Sequence, residues 1–397
     1  MVDVVIVGGG IGGLATALAV RAQGLSFVLL ERAPAIETVG AGIQLSPNAI
    51  RVLYHLGLES RLAPVVVRPR SLEIRAFDTG QLILETPLGD VARDHFGAPY
   101  FHAHRADLVD AMLDALGPDH VRLGVEVARF DATSNDVGVT LTNGETIRGR
   151  VLVGADGIHS AVRDQMHDPR PARYSGTAWR ALVPADAIRA LGIEEVSGVW
   201  WGPERNFVHY YVSGGRQFNW IGIVPDDPSS IESWTTKGDV SQVLEEFSDW
   251  HETVREIIGA SSTVYKWALF DREPLPHWTE GRVTLLGDAA HSMLPYHAQG
   301  AAMCIEDGYV LADALSQFAE ATDALSHYEQ LRRPRATWVQ AFSRAAERHF
   351  NLADPEAVAR RDARLRASQN QYREGFPPGQ ETIYGYDALS ALATAAK

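Results

Sequence analysis

The feature that most constrains this chain is a glycine-rich loop between its first predicted strand and its first predicted helix. Residues 8–13, GGGIGG, satisfy the pattern G-x-G-x-x-G directly after the valine-rich run Val2–Val7. A helical pattern follows over residues 14–23, and a second apolar strand closes with Glu31. Strand, glycine loop, helix, strand and acidic residue in this order predict a dinucleotide-binding βαβ unit.

Each part of this loop has a physical role in binding a dinucleotide. Gly8 permits the tight turn, Gly10 lets the backbone approach a pyrophosphate, and Gly13 lets the helix pack on the strand. The helix that begins near Ile11 supplies free N–H groups and a partial positive charge. Glu31 can accept hydrogen bonds from a ribose hydroxyl and would repel a 2′-phosphate, which favours FAD or NAD over NADP at this site.

Composition excludes several functional classes. The 397 residues include 36 Lys and Arg against 50 Asp and Glu, a formal charge of −14, so we expect no nucleic-acid partner. The single cysteine, Cys304, excludes a disulfide framework and multi-cysteine metal sites, and we expect no metal. Apolar runs are too short to span a bilayer and the N-terminus lacks a basic region, so we expect a soluble cytoplasmic protein.

A change of texture along the chain predicts an α/β protein with two structural units. Most of the tryptophans and several β-type runs fall in residues 174–281, which we interpret as a separate mixed sheet. We assign residues 1–75, 101–173 and 282–397 to a Rossmann-like unit with C-terminal helices, and 76–100 and 174–281 to the inserted sheet. We also expect the helix over 329–348 to be interrupted near Pro334, and the tail beyond Glu374 to be a surface extension or an irregular cap.

Three further motifs follow the loop. They are VGADGIHSAVR at residues 153–163 with Asp156, LGDAAH at 286–291 with Asp288, and HRADL at 104–108 with Arg105. The first two resemble the DG and GD motifs of single-component FAD-dependent aromatic hydroxylases, the group A flavoprotein monooxygenases. The third resembles the segment whose arginine contacts flavin and pyrophosphate. All three stand in the family's order, and the resemblance covers nearly the whole chain.

A subgroup of that family is the most similar. Residues 40–48, 271–278, 298–307 and 383–387 resemble salicylate hydroxylase, 3-hydroxybenzoate 6-hydroxylase and 6-hydroxynicotinate 3-monooxygenase. The resemblance implies a para-hydroxybenzoate-hydroxylase-like fold with tightly but non-covalently bound FAD, and NADH or NADPH as a transient co-substrate, since no second dinucleotide fingerprint is present. The cofactor-binding residues it implies are Gly8, Gly10, Ile11, Gly13, Glu31, Arg32, Arg105, Val127, Asp156, Asp288, Gly300 and Ala301.

The resemblance also implies the reaction. NAD(P)H would reduce the flavin, O2 would add at its C4a, and the hydroperoxide would transfer oxygen to the ring of a small phenolic or hydroxypyridine carboxylic acid. Removing the phenol proton activates the ring, so a general base is expected within hydrogen-bond reach. Alternatives are a hydroxylase or reductase of this fold with a larger polycyclic substrate, and a dinucleotide sensor without enzymatic activity. Self-association into a homodimer stays open.

The strand over residues 205–212 is the best place for the substrate contacts. The related hydroxylases present a histidine and, four positions later, a tyrosine there, and this chain has Asn206 and Tyr210. We rank Tyr210 first as a substrate contact and His209 second, because His209 would face the ring only if the strand contained a bulge. Gln44 is a further catalytic candidate, which could reach the flavin edge or the substrate. Other candidates for the pocket are Pro295, Tyr296, His297 and Gln299, with Arg180 and Arg216 as weak candidates for binding a carboxylate.

Overall fold

Two eight-stranded β-sheets and a two-stranded ribbon organise the computed structural model, which describes residues 1–36, 41–168, 171–225, 236–369, 372 and 375–395. Gly40, at the start of the subgroup segment 40–48, lies outside the described residues. The strands are β1 (Val2–Val7), β2 (Phe27–Leu30), β3 (Gly42–Leu45), β4 (Ser71–Ala76), β5 (Leu82–Pro87), β6 (Phe101–His104), β7 (Val121–Arg122), β8 (Val127–Ala132), β9 (Val137–Leu141), β10 (Thr146–Gly154), β11 (Arg173–Pro184), β12 (Ser197–Gly202), β13 (Arg205–Val212), β14 (Gln217–Val224), β15 (Thr236–Gly238), β16 (Val264–Asp271), β17 (Thr279–Glu280) and β18 (Val283–Leu285).

Helices cover both sheets. They are α1 (Ile11–Ala22), α2 (Pro47–His55), α3 (Glu59–Leu62), α4 (Gly89–Phe96), α5 (Arg105–Leu116), α6 (Ala161–Met166), α7 (Ala185–Arg189), α8 (Val240–Glu246), α9 (Glu252–Gly259), α10 (Asp288–His291), α11 (Gly300–Gln317), α12 (Ala321–Phe350), α13 (Pro355–Ser368), α14 (Pro378–Tyr384) and α15 (Ala391–Ala395). Short 3-10 turns at Pro118–His120, Pro295–His297 and Ala388–Ser390 complete the set.

The first sheet has the order β17-β18-β10-β1-β2-β7, with the β8–β9 hairpin beside β10. Strands β18, β10, β1, β2 and β7 run parallel to one another. The valine-rich run of β1 is buried from Val4 onwards because helices cover both faces of a parallel sheet. The predicted βαβ unit at the N-terminus is therefore present, and it places the glycine loop at the carboxyl end of β1.

The second sheet has the order β15-β16-β11-β14-β13-β12-β4-β5. Its pairs are antiparallel except for the parallel pair of β12 and β4, so the sheet is mixed as predicted. Since β4 begins at Ser71, this sheet starts before residue 76, where the sequence-based boundary was drawn. The pairing of β4 with β12 joins distant parts of the chain and leaves no local signal.

The long helix α12 runs through Pro334 without a break, so the predicted interruption was wrong. Its inward face, which includes Tyr328, Arg332, Ala336 and Val339, is buried against the first unit. This packing holds the helix together although Pro334 cannot donate a backbone hydrogen bond.

Part of the C-terminal tail is packed in the core, so of the two alternatives predicted for it, the surface extension was wrong. Ile383 and Tyr384 on α14 are buried in one cluster with Leu88 and Phe96. The side chain of Arg51 ties the segment down by donating to the carbonyl oxygens of Tyr384 and Tyr386, among others. A few apolar residues in a short helix give too little periodicity for the sequence to reveal this contact.

Candidate active site

The glycine loop is closed on one side and open on the other. A Cβ on Gly13 would lie 1.9 Å from the carbonyl oxygen of Gly8, and one on Gly8 would lie 2.3 Å from that of Ala155. Gly8 has φ of +107°, a conformation that side-chain-bearing residues rarely adopt. A Cβ on Gly10, by contrast, would meet nothing within 4 Å. The open side therefore lies where α1 begins at Ile11, whose first turn has no acidic residue to compete with a bound anion.

Glu31 fastens this loop to the end of β2. Its carboxylate accepts hydrogen bonds from the backbone N–H of Gly9 at 2.7 Å and of Ala33 at 2.8 Å. A carboxylate offers about four lone-pair sites, so acceptor capacity is left for ribose hydroxyls. Two other predicted cofactor residues flank this edge. Arg32 has an exposed side chain, and Val127 is the partly buried first residue of β8.

The DG and GD segments follow two paired strands, β10 and β18. Asp156 turns inward, where its carboxylate accepts hydrogen bonds from the Ser160 hydroxyl and the Val162 N–H, and burial raises its pKa. Asp288 is the first residue of α10 and is exposed, although Gly287 and Ala289 on either side are buried. Asp156 thus shapes its own turn, while the Asp288 carboxylate points into open space.

Cys304 joins the GD segment to the glycine loop. A Cβ on Gly287 would lie 2.7 Å from its Sγ, and a Cβ on Gly12 would lie 3.3 Å from its Cβ. Helix α11 therefore packs directly against both segments. It begins at Gly300, where an added Cβ would meet nothing within 4 Å, and the first turn, with Ala301, has no acidic residue. Like α1, α11 starts beside open space with its partial positive charge uncancelled.

A buried ion cluster holds α11 in place. Asp307 accepts hydrogen bonds from His291 Nε2 at 2.6 Å and from Arg332 Nε at 2.7 Å, and the Gly287 N–H donates to it at 3.2 Å. Burial alone would raise the pKa of Asp307, but the charges of His291 and Arg332 lower it to about 2. Glu306 beside it pairs with Arg332 at 2.6 Å. The cluster therefore fixes the GD segment to α11 and α12.

These residues fit FAD. An open glycine and a helix N-terminus suit the pyrophosphate, Glu31 suits a ribose, and the exposed carboxylate of Asp288 suits a polar chain. Arg105, the partly buried first residue of α5, adds a cation to this region. Burial and then the charge of Arg105 lower the pKa of Arg180 to about 10. Two neighbouring cations at the boundary between the two units favour an anionic ligand there.

The second sheet provides an apolar floor. Asn206, Val208 and Tyr210 share one face of β13, and Val208 is in register with Ile221 of β14. Val208 and Ile221 are partly exposed, although the residues next to each of them along both strands are buried. An opening of this kind in the middle of a buried sheet marks the floor of a pocket, with Tyr210 at one end and Asn206 at the other.

At the Tyr210 end, the ribbon of β3 and β6 packs against the sheet. A Cβ on Gly42 would lie 2.5 Å from the Tyr210 ring. Gln44, two residues on, hydrogen-bonds Tyr210 and accepts a hydrogen bond at 2.5 Å from the Tyr100 hydroxyl. Tyr100 in turn is hydrogen-bonded to Tyr384 of the C-terminal tail. Burial, the largest cause, raises the pKa of Tyr210, Tyr100 and Tyr384, so all three are neutral phenols.

At the Asn206 end, a polar bridge closes the pocket. The Asn206 amide donates to Asn351 Oδ1 at 3.0 Å, and the Asn351 amide donates to the Tyr296 hydroxyl at 3.2 Å. Burial raises the pKa of Tyr296 to about 12. Outside this bridge lies a cavity of about 370 Å³, which Tyr296, Asn351, Ile223 and Glu347 help to line. The bridge thus separates the apolar floor from an outer cavity.

His209 lies outside this site, which corrects its assignment as a catalytic candidate. The register of β13 with β12 and β14 contains no bulge, so His209 faces away from Tyr210. Its ring stacks on Phe218 at 5.3 Å and lies against Gly198, where an added Cβ would be 2.2 Å away. Burial and then the charge of Arg75 lower its pKa to about 3.

The four residues that were predicted to line the pocket from the loop before α11 lie in different environments. Gln299 is buried and donates to the Ser46 hydroxyl at 2.9 Å. His297 stacks on Phe342 of α12 with ring centroids 4.1 Å apart, and burial lowers its pKa to about 4. Pro295 is exposed at the start of the 3-10 turn. The structure therefore brings Tyr296 to the pocket end and places Gln299 and His297 in packed contacts.

The two arginines considered for a carboxylate differ sharply. Arg180 is 1% exposed on β11, opposite Ile221 in register, with its guanidinium 4.2 Å from the centre of the Trp267 ring. Arg216 is exposed in the turn between β13 and β14. Arg180 is therefore the cation beside the pocket floor.

Four residues of the site were missed from the sequence, namely Tyr100, His102, Asn351 and Tyr384. Tyr100 and His102 reach the pocket because β6 pairs with β3, which sets His102 opposite Gln44. The His102 ring lies 4.4 Å from that of Tyr210, centre to centre. The sequence did contain one signal, because Tyr100 and His102 alternate as residues on one face of a strand do. That alternation does not reveal which strand pairs with theirs.

The described part of the chain contains neither a candidate metal site nor a candidate membrane-spanning helix. No group of three or more His, Cys, Asp or Glu side chains there could hold a metal ion. Among the described helices, none is long and apolar enough to span a membrane.

Comparisons with known proteins agree with this geometry. The family described as FAD binding domain matches residues 1–343. The chain is 38% identical over 373 residues to a 3-amino-4-hydroxybenzoate 2-monooxygenase from Streptomyces cremeus, covering 93% of both. It is 36% identical to 3-hydroxybenzoate 6-hydroxylase 1 from Aquipseudomonas alcaligenes, covering 91% of this chain and 92% of the relative. HpxO of Klebsiella pneumoniae, solved with FAD and uric acid, superposes with a TM-score of 0.86 at 26% identity, covering 98% and 97%.

Proposed function

The chain belongs to the FAD binding domain family and is an FAD-dependent monooxygenase, and from that premise we propose that it hydroxylates a small aromatic acid that carries a ring hydroxyl. The resemblance to the aromatic hydroxylases and the predicted fold class are both confirmed. Relatives named for aminohydroxybenzoate and hydroxybenzoate support this substrate class.

The pocket floor carries the proposal. Val208 and Ile221 form a small apolar surface on which an aromatic ring can lie. Tyr210 and Asn206 are four residues apart on one strand, or about 13 Å, which spans one ring with a substituent at each end. Polar groups at both ends and an apolar surface between them match a hydroxylated aromatic acid rather than a hydrocarbon.

One end of the pocket and one side of its floor each suit one substituent. At one end, Gln44 and Tyr210 offer hydrogen bonds to a ring hydroxyl or to its anion. Beside the floor, Arg180 supplies a buried cation for a carboxylate. The chain thereby orients the ring between the second sheet and the ribbon, and the packed surroundings exclude water.

The cofactor region supports the same reaction. FAD, once reduced by NAD(P)H, supplies the activation of O2 and the transfer of one oxygen atom to the ring. Glu31, Asp288 and the N-termini of α1 and α11 would hold it. Because NAD(P)H is consumed in each turnover, we place the enzyme in the cytoplasm.

A substrate screen tests the proposal. The purified protein, reconstituted with FAD, is mixed with NADH or NADPH and a panel of hydroxybenzoates, aminohydroxybenzoates and hydroxynicotinates. We expect one of these acids to accelerate NAD(P)H oxidation with equal O2 uptake and little hydrogen peroxide. If no small acid stimulates NAD(P)H oxidation but a polycyclic phenol does, the proposed substrate class is wrong and polycyclic phenols take its place. A protein that binds no FAD would remove the premise itself.

A further inference from the structure

His102 is a buried histidine at the substrate end of the site with a nitrogen that has no partner. Its side chain is 1% exposed, and its Nε2 has no hydrogen-bond partner among the described residues. The ring lies against Tyr210 at 4.4 Å and edge-on to Tyr100 at 5.9 Å. A buried polar atom without a partner is costly, and this one lies beside Tyr210, where a bound substrate would supply the partner.

In the hydrogen bonds around Tyr210, each side chain donates to the next, from Tyr100 to Gln44 and from Gln44 to Tyr210. The Tyr100 hydroxyl donates to Gln44 Oε1, so the amide N–H groups of Gln44 are left to face Tyr210. The Gln44 hydrogen bond favours the ionised form of Tyr210, as a donor to its oxygen would. The Tyr210 hydroxyl proton is then free to point at a substrate oxygen. Gln44 and Tyr210 are therefore donors, and neither can take a proton from the substrate.

We propose that His102 is a catalytic residue that takes the proton from the ring hydroxyl of the aromatic substrate, an inference that rests on the proposed function. The substrate O–H bond breaks and an N–H bond forms on the imidazole, which leaves a phenolate and an imidazolium. Once the ring has gained its oxygen and lost its displaced hydrogen to water, the imidazolium returns its proton to the same oxygen. His102 is then neutral again.

The surroundings of His102 fit an acceptor. The titratable groups that face it are Tyr100, Tyr210 and, through the sheet, His209. Burial and then the charge of His209 lower its pKa to about 3, so the free imidazole is neutral. An imidazolium forms there only together with the phenolate, whose negative charge replaces the lost hydration. Proton transfer is thereby coupled to the presence of the substrate.

A binding measurement without turnover tests this directly. The probe is 4-hydroxy-3-nitrobenzoate, whose ionised form absorbs visible light, titrated into the FAD-loaded protein without NAD(P)H. We expect the wild type to bind the probe mainly as phenolate at a pH where the free probe is largely protonated. His102→Gln should lower the ionised fraction about tenfold and leave the flavin spectrum and the FAD dissociation constant unchanged.

The matched control is His209→Gln, which removes another buried imidazole, one that lies on the face of β13 turned away from Tyr210. It should lower the melting temperature but leave the ionised fraction as in the wild type. If His102→Gln binds the phenolate as fully as the wild type, the inference is overturned. Loss of FAD in His102→Gln would also overturn it, because His102 would then be a flavin ligand. If the wild type binds no aromatic acid, the proposed function fails instead.

Turnover provides a second, independent readout. With an ordinary phenolic acid, His102→Gln should lower kcat about 100-fold, the lower end for loss of a general base. With a nitro- or fluoro-substituted substrate that is already ionised in solution, the loss should shrink to a fewfold. A structural role for His102 would lower kcat equally for both substrates, and that result would contradict the proposal.

Discussion

The Tyr100 hydroxyl lies 2.5 Å from Oε1 of Gln44, and this contact connects the C-terminal tail to the substrate pocket. Tyr384 holds Tyr100 from the other side. Because Tyr100 occupies the amide oxygen, the amide N–H groups of Gln44 face Tyr210. A residue near the end of the chain therefore determines which atoms the pocket offers to the substrate.

Tyr384→Phe should impair catalysis without affecting the cofactor. When the Tyr384 hydroxyl is removed, Tyr100 is free to rotate and Gln44 loses its fixed orientation. The lost hydrogen bond is worth about 1 kcal/mol. We expect kcat to fall about 5- to 10-fold at unchanged FAD affinity. Tyr386→Phe is the matched control, since it removes a hydroxyl two residues later and keeps the ring that stacks on Arg335. If both variants lose kcat equally, the effect comes from general disturbance of the C-terminal tail and not from the hydrogen bond of Tyr384 to Tyr100.

Two alanine substitutions in the glycine loop should separate folding from binding. Gly13→Ala places a methyl group 1.9 Å from a backbone oxygen, so we expect a loss of about 3 kcal/mol in unfolding free energy. Gly10→Ala meets no protein atom, so the apoprotein should melt as the wild type does. Its methyl group would crowd a pyrophosphate and weaken FAD binding about 30-fold, or about 2 kcal/mol. Normal FAD binding by Gly10→Ala would show that the phosphates lie elsewhere.

The sequence predicted the parts of the site that are local along the chain. The glycine loop, Glu31 and the start of α11 could be located because strand, turn and helix signals stand next to one another. Strand alternation also predicted that His209 faces away from Tyr210. The bulge that would have turned His209 towards the ring is not present in β13. Local patterning is sufficient where one element carries the function.

Contacts between distant elements were not predictable. His102 enters the pocket through the register of β6 with β3, and Tyr384 enters through the packing of α14. Asn351 joins the site from the end of α12 and bonds Asn206 across the sheet boundary. Register and tertiary packing decide these positions, and neither leaves a periodic signal in a single sequence.

Asp307 should make the protein sensitive to acid. Its folded pKa of about 2 lies below the ordinary aspartate value of 3.8, so the stability it contributes is complete above pH 3.8 and is lost as the pH falls towards 2. The shift corresponds to about 2 kcal/mol. Asp307→Asn should therefore be less stable at pH 7 and show a flatter decline of unfolding free energy between these limits. An unchanged decline, measured by denaturant melts at several pH values, would assign the acid sensitivity to other carboxylates.

Asn351→Ala should open the pocket to the outer cavity. The substitution removes both the acceptor for the Asn206 amide and the donor to Tyr296, which leaves a polar group in the buried boundary and costs about 1–3 kcal/mol. Water that enters beside the flavin should divert reduced cofactor to hydrogen peroxide, so we expect NAD(P)H oxidation to persist while the yield of hydroxylated product falls severalfold. Leu352→Ala widens the same cavity but leaves the bridge intact, and it should stay coupled. If both variants remain fully coupled in parallel peroxide and product assays, the bridge is not the barrier that keeps the pocket dry.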